Sequence, residues 1–214
     1  MPHGGAATSR VDEREPFLGF LLEGDRRQAE AYARDVFERR GVAFLYEQVI
    51  QPALREVGRL WWTNSITVAD EHLATNTAQS AVAALYPLFK WPARGPRVLL
   101  ACAAGERHEF GLRMIADMLA LDGWDDRFLG GDVPNEDLAR YAKSFAPKVV
   151  ALSVTLGWHV ATTKDAIRLV RRALPSVKVL VGGFAIEDGV ANALGADAVA
   201  RSGTEAVEVA RGWK

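Results

Sequence analysis

The sequence predicts a four-helix bundle followed by a doubly wound, parallel five-stranded sheet, an α/β chain whose front half is all-α. Two observations carry this. From Pro16 to Phe89 apolar residues recur at helical spacing with almost no strand-like alternation. After the segment KWPARGP, Lys90 to Pro96, the pattern becomes short apolar runs separated by amphipathic stretches, a repeating β-α grammar. No internal repeat or low-complexity segment competes with either.

In the front half, Ala29, Tyr32, Ala33, Val36 and Phe37 mark one helical face, and Phe44, Leu45, Gln48, Val49, Pro52 and Ala53 another. Helices are expected near 15–23, 25–40, 42–62 and 68–88. Pro52 lacks an amide hydrogen and should bend or interrupt the third. The fourth opens with Thr67-Val-Ala-Asp70, a capping box with Asp in the place of Glu. In the back half the runs RVLLAC, WDDRFL, KVVALSV, KVLVGG and ADAVA read as strands. Right-handed crossovers between them build a sheet covered on both faces, with the flavodoxin-like strand order 2-1-3-4-5. The chain thus divides into a disordered tail over 1–14, a helix bundle over 15–90, a linker over 91–96 and the sheet domain over 97–214.

Composition narrows the function. Lys and Arg number 26 against 27 Asp and Glu, a net charge of -1, so no global field draws the chain to nucleic acid or an anionic membrane. The single cysteine, Cys102, lies in an apolar run and reads as core packing in a reducing cytoplasm. No apolar stretch approaches the ~20 residues of a membrane span, and MPHGGAATSR has no apolar centre like that of a signal peptide.

Ligands of such sheets sit beyond the carboxyl ends of the strands, at the switch point between strands one and three. Three segments should converge there: GERHEFGL (Gly105 to Leu112), SVTLGWH (Ser153 to His159) and Gly182-Gly183. Ser153 and Thr155 offer hydroxyls, and the glycines allow close approach of a chain or ligand. The first loop has no G-x-G-x-x-G and carries bulky charged residues, which argues against a dinucleotide. The acidic pocket and late lysine of a response regulator are not apparent, and no G-x-S-x-G elbow marks a hydrolase. A neutral imidazole at His108 can ligate a transition metal, with the Glu106 carboxylate holding its tautomer through the other ring nitrogen. The four histidines have no zinc spacing.

These segments resemble the cobalamin-binding signature D-x-H-x-x-G, S-x-L and G-G of methionine synthase and corrinoid methyltransferase proteins. Here they stand as Glu106-x-His108-x-x-Gly111, Ser153-x-Thr155 and Gly182-Gly183, and FLGGDVPNEDL, Phe128 to Leu138, is similar to the family's L-G-x-x-V-P segment. The resemblance implies a Rossmann-like cobalamin-binding domain. In it His108 is the lower axial cobalt ligand, Gly111 admits the nucleotide tail, and Ser153, Thr155, Gly182 and Gly183 line the tail's slot. Arg107, inside the motif, joins the cofactor-binding set. Two positions depart from the pattern: Glu replaces Asp at 106 and Thr replaces Leu at 155. His159 takes no role, and Trp124 and Trp158 are expected to pack.

The helical half adds Trp61, nine residues, then Glu71-His72, a spacing that resembles CarH-type adenosylcobalamin photoreceptors. With one helix ending near Asn64 and the next starting near Thr67, both sites stand within ~6–8 Å of one turn along their helices. They can face one cavity. By themselves, Trp61 beside Trp62 also reads as bundle core and Glu71-His72 as a solvated face; together with the lower-face motif they read as a site. The resemblance implies that Trp61 covers the upper cobalamin face, that Glu71 contacts the adenosyl group, and that His72 is the upper axial ligand after light.

The expected function is therefore a non-enzymatic, light-responsive cobalamin sensor that holds adenosylcobalamin between bundle and sheet domain, with methylcobalamin or hydroxocobalamin as other cofactor forms. With a helical pattern beginning near residue 15, a DNA-binding domain before the bundle is not expected. Output through a regulatory protein partner or a homo-oligomer is expected instead. The alternatives are a corrinoid methyl-carrier subunit of a methyltransferase and a passive cobalamin carrier.

Overall fold

Start and stop chemistry shapes the helical unit. The computed structural model describes residues 12–186 and 193–214. Contacts divide the chain into two compact units, with the boundary between Pro87 and Leu88. The first helix, α1 (Arg14–Glu23), stops at Gly24, whose φ of +68° suits glycine and where a Cβ would meet the Leu73 side chain at 2.8 Å. Asp25 then caps α2 (Arg26–Phe44) by accepting the Gln28 amide. Gly41, at φ +80° and ψ 171°, breaks that helix where the pattern divides the second from the third.

A π-helical turn, Leu45–Ile50, leads into α3 (Gln51–Trp62). The Gln51 amide donates to Tyr46 O, five residues back, and Pro52 follows without an amide to donate. The interruption expected at Pro52 thus takes the form of a change from π to α spacing. The capping box of α4 (Val68–Ala83) is formed: Thr67 Oγ1 accepts the Asp70 amide at 3.2 Å and Asp70 accepts the Thr67 amide at 2.8 Å. This helix ends five residues before the expected 88, giving way to a short 3-10 turn, Tyr86–Leu88. Pro87 accounts for the early stop, because it has no amide hydrogen to donate to Ala83 O four residues back. Ala29 and Ala33 of α2 and Ala74, Ala78 and Ala81 of α4 are buried, small side chains that let these two packed helices approach closely.

In the second unit the strands are β1 (Arg97–Cys102), β2 (Asp125–Phe128), β3 (Val149–Ser153), β4 (Lys178–Gly182) and β5 (Ala198–Ala200). All pair in parallel in the order β2-β1-β3-β4-β5, as the β-α grammar predicts. Helices α5 (Phe110–Leu121), α6 (Asn135–Phe145), α7 (Val160–Ala173) and α8 (Gly203–Arg211) cover it, α6 packing on α7 and α5 on α8. Leu99 and Ala101 of β1, Val150 and Leu152 of β3 and Val179 and Val181 of β4 share one core with α6 and α7. That alternation is the period-two grammar of a strand buried on both faces. Cys102 is fully buried, and burial above all pushes its thiol up to about 12, in keeping with a packing role. Trp124 is buried as expected. The helix expected between β4 and β5 falls in part on residues 187–192, outside the described residues, as do residues 1–11 of the tail expected over 1–14; Arg14 already opens α1.

Register brings Cys102, Ser153, Gly182 and Ala200 into one row across β1, β3, β4 and β5. Every loop named as a candidate in the back half leaves the sheet from this row or beside it.

Candidate cofactor site

Between β1 and α5 the chain makes a tight loop whose centre is Glu106. Its carboxylate is wholly buried and accepts four hydrogen bonds. Oε1 takes the His108 amide at 3.0 Å and His108 Nδ1 at 2.6 Å. Oε2 takes the amides of Thr155 at 2.8 Å and Leu156 at 3.1 Å, from the loop after β3. Burial pushes this carboxyl upward, but the His108 amide and ring and the Thr155 and Leu156 amides outweigh it and hold the group below the usual glutamate range. The longer acid thus reaches the imidazole and the neighbouring loop at once. An ionised Oε1 against Nδ1 assigns the ring proton to Nδ1, which leaves the Nε2 lone pair free. The His108 side chain is 56% exposed, so that nitrogen is open to a ligand.

The loop after β2 buttresses this turn. The Asp132 amide donates to Glu106 O at 2.7 Å, Asp132 Oδ1 accepts the Gly105 amide at 2.8 Å, and Oδ2 lies 3.5 Å from the Arg107 guanidinium. The Gly105 amide, foremost, keeps the Asp132 carboxyl below the ordinary aspartate range. Glu109 accepts the Gly131 amide, and Val133 donates to Cys102 O at 3.3 Å. The segment Phe128 to Leu138 therefore braces the histidine loop from the β2 side.

The glycines differ. Gly111, in the first turn of α5, is exposed, and a Cβ there would meet no atom within 4 Å. At Gly182 a Cβ would lie 2.8 Å from Ala200 O, and at Gly183, where φ is +107°, it would overlap the Val154 backbone. Protein backbone thus takes the close approach at 182 and 183, whereas 111 borders open space. Ser153 is buried at the end of β3, and Thr155 is half-buried beside it.

Two aromatics at this edge go beyond the sequence reading. Trp158, expected to pack, is 71% exposed; it stands in a short 3-10 turn, Gly157–His159, edge-on to the neighbouring His159 ring with centroids 5.8 Å apart. Phe184, to which the sequence reading assigns nothing, is 80% exposed directly after the glycine pair. An aromatic following Gly-Gly at a strand's carboxyl end was the available signal. The His159 ring sits against Gly105, its Cε1 2.9 Å from where a Cβ would be.

In the helical unit, Trp61 lies in the last turn of α3, and Glu71 and His72 in the first turns of α4, across the turn 63–67. Trp61 and Trp62 are both exposed, Trp62 at 79%, which removes the bundle-core reading of the pair. Glu71 Oε2 is 2.6 Å from His72 Nδ1, and the His72 side chain is 70% exposed. Among the described residues, each unit therefore carries one exposed imidazole whose Nδ1 is engaged by a glutamate. One lone-pair nitrogen of this kind suits a metal whose equatorial positions its own macrocycle fills, so the donor chemistry fits a corrin.

Comparison with known proteins agrees. Residues 96–211 match the model of a B12 binding domain, and residues 14–86 match a second B12 binding domain model. The chain is 34% identical over 142 residues to the HTH-type transcriptional repressor CarH of Myxococcus xanthus, covering 65% of this chain and 47% of that one. It spans about half the length of that relative. It is 26% identical over 172 residues to the dimethylamine corrinoid protein of Methanosarcina barkeri, covering 78% of this chain and 81% of that one. The solved monomethylamine corrinoid protein of Methanosarcina barkeri has the same fold, with a TM-score of 0.82 over 94% of this chain and 98% of that one at 20% identity.

Proposed function

The chain belongs to the B12 binding domain family, and on that premise we propose that it is a light-responsive regulator that holds adenosylcobalamin and signals through a partner protein or a change of oligomer. A corrinoid cofactor follows from the family; its upper ligand and the light response are the proposal. When bound, adenosylcobalamin supplies a cobalt–carbon bond that green or blue light breaks.

The chain's own residues have these roles. His108 Nε2 would offer cobalt a lone pair, and Glu106 holds the ring's tautomer and orientation. Gly111 would leave room for the nucleotide tail, Ser153, Thr155, Gly182 and Gly183 would border its slot, and Arg107, 83% exposed on the same loop, would belong to the cofactor-binding set. On the bundle side, Trp61, Glu71 and His72 would hold the cofactor: Trp61 would cover it, Glu71 would contact the adenosyl group, and His72 would offer a nitrogen to cobalt after illumination. A change in the ligand set then biases the bundle between two states.

The observation that carries this reading is the Glu71–His72 pair, a carboxylate-held imidazole exposed at the same end of the α3–α4 hairpin as Trp61. A ligating side chain there would obstruct the position at which a methyl carrier must turn over. The second reading, a corrinoid methyl-carrier subunit serving a methyltransferase, draws support from coverage: the chain matches 81% of the dimethylamine corrinoid protein and 47% of CarH. In neither reading does the chain itself catalyse, and direct operator binding is no part of the proposal.

Absorption spectra of the chain reconstituted with adenosylcobalamin, taken in darkness and after green light with size-exclusion chromatography of both samples, separate the two. A tightly held bis-histidine spectrum with altered elution supports the regulator. Release of hydroxocobalamin with no change in elution supports the carrier, and a complex that binds and turns over a methyl group at an unhindered upper face does the same.

A further inference from the structure

Asn135 is the first residue of α6. Pro134 and Glu136 on either side of it are exposed, yet Asn135 turns its side chain inward and is only 9% exposed. A buried amide group needs an acceptor for its nitrogen and a donor for its oxygen. Asn135 Oδ1 accepts the Ala104 amide at 3.4 Å, and Nδ2 donates to Thr162 O at 3.0 Å. The partners fix which end is which, because a main-chain amide only donates and a carbonyl only accepts. Ala104 lies in the loop between β1 and α5 and Thr162 in the first turn of α7, so one side chain ties three elements together.

We propose that Asn135 is a positioning residue for His108: it closes a ring of contacts whose other side is Glu106, and the closed ring fixes where Nε2 is presented. The inference rests on the reading of His108 as a cobalt donor. Glu106 Oε2 ties the loop to the Thr155 and Leu156 amides after β3, and Asn135 ties it to Thr162, further along the same segment. A loop held by Glu106 alone is free to pivot about that carboxylate; one held at Ala104 as well is not. The three amides that lead into the loop each have an acceptor: Ala104 has Asn135 Oδ1, Gly105 has Asp132 Oδ1 at 2.8 Å, and Glu106 has Ala103 O at 3.0 Å. Without the Asn135 oxygen the half-buried Ala104 amide must turn to reach water. Gly105, at φ +88°, offers little resistance to that rotation, and Glu106 and His108 follow it. An amide side chain meets both requirements here, whereas leucine has the shape without donor or acceptor and aspartate would set a second acceptor against Thr162 O. Residues that hold a metal ligand in place typically affect affinity by about 10–100-fold, and Asn135, which acts through the main chain, belongs at the lower end of that range.

The test uses the full chain and three variants: Asn135→Leu, which keeps the shape and removes both bonds, Leu138→Ala, which loosens the core packing of the same helix, and His108→Ala as the reference. In cofactor-free protein, hydrogen exchange followed by NMR should show the Ala104, Gly105 and Glu106 amides exchanging about tenfold faster in Asn135→Leu, and in Leu138→Ala only as far as global stability falls. Cob(II)alamin is then bound in darkness to protein whose histidines carry heavy nitrogen. Its electron paramagnetic resonance shows a doublet where a histidine holds cobalt, a triplet where the cofactor's own benzimidazole does, and no such splitting for water. Asn135→Leu should lower the ratio of doublet to the other signals about tenfold, and Leu138→Ala should leave it unchanged. Either readout unchanged in Asn135→Leu overturns the proposal and leaves His108 as the donor, provided that His108→Ala loses the doublet. An equal loss of doublet in Leu138→Ala also overturns it, because the effect is then one of packing. If His108→Ala keeps the doublet, the donor reading itself fails and the positioning role falls with it. Asn135→Ala serves as a second variant if leucine disturbs the fold.

Discussion

The buried Glu106 carboxylate holds His108 through two contacts at once, the ring Nδ1 at 2.6 Å and the main-chain amide at 3.0 Å, and does so with one oxygen. Its other oxygen binds the Thr155 and Leu156 amides. The residue that sets the imidazole's tautomer is therefore also the tie between the β1 and β3 loops. Glu106→Gln breaks this symmetry, because an amide has one accepting oxygen and would turn its NH2 toward another donor. The expected result is a loss of about 1–3 kcal/mol in urea unfolding and a His108-on population about 10–100-fold smaller, read from absorption of the hydroxocobalamin complex.

Removing either imidazole should have distinct spectral effects. His108→Ala should abolish the histidine-on spectrum in the dark. His72→Ala should spare dark adenosylcobalamin binding and prevent a stable bis-histidine form after green light. A photoproduct identical to that of the unsubstituted chain in His72→Ala removes His72 from the ligand set, and an unchanged dark spectrum in His108→Ala does so for His108.

The glycines at 111 and 183 should separate ligand space from protein space. Gly183→Ala places a Cβ at φ +107° into the Val154 backbone, and should lower stability by about 1–3 kcal/mol for the conformation alone. At Gly111 a Cβ meets nothing within 4 Å, so Gly111→Gln should leave the unfolding midpoint nearly unchanged. It should nonetheless weaken cobalamin binding tenfold or more, about 1.4 kcal/mol, in a titration followed by absorbance. Equal affinity in Gly111→Gln would mean that the tail passes elsewhere.

Asp197 gives the sheet unit a defined acid sensitivity. Its Oδ2 accepts the Val179 amide at 2.7 Å and Arg171 at 2.8 Å, which ties the start of β4 to the approach to β5. Burial pushes this carboxyl up, but the Val179 amide and the Arg171 guanidinium pull it further down, below the ordinary aspartate value. A folded-state value that is depressed means the unfolded chain takes up the proton first. The contribution of Asp197 is thus fully present above the unfolded value of about 3.9, and is lost as pH falls through that value toward the lower folded one. Urea unfolding of the unsubstituted chain and Asp197→Asn should differ at pH 7 and converge as pH falls below 4. A constant difference across that range would rule out the carboxylate as its source.

Much of this was legible along the chain, and the limits have particular causes. The five strands and their order follow from apolar runs short enough to be strands and spaced widely enough for crossover helices. The Thr67–Asp70 capping box and the break at residue 41 follow from local chemistry. The end of α4 was missed because helical periodicity ran on past Pro87, while the proline supplied no amide for Ala83 O. Trp158 was misjudged because a tryptophan's burial depends on which side of a loop it leaves, and that is set by residues far away in sequence.

By itself, the sequence determined the elements, their parallel order, and the placing of Glu106, His108, Ser153 and Gly182-Gly183 at one edge of the sheet, since periodicity and connection length are local properties of a chain. Only the tertiary structure decided what each of these residues touches. Glu106 reaches Thr155 and Leu156 across 49 and 50 residues of sequence, Gly183 is filled by Val154 while Gly111 is left open, and Thr75 turns to a carboxylate where Thr77 turns to a carbonyl. Those outcomes depend on hydrogen-bond directions and on which atoms occupy the same few ångströms, and a spacing pattern carries neither.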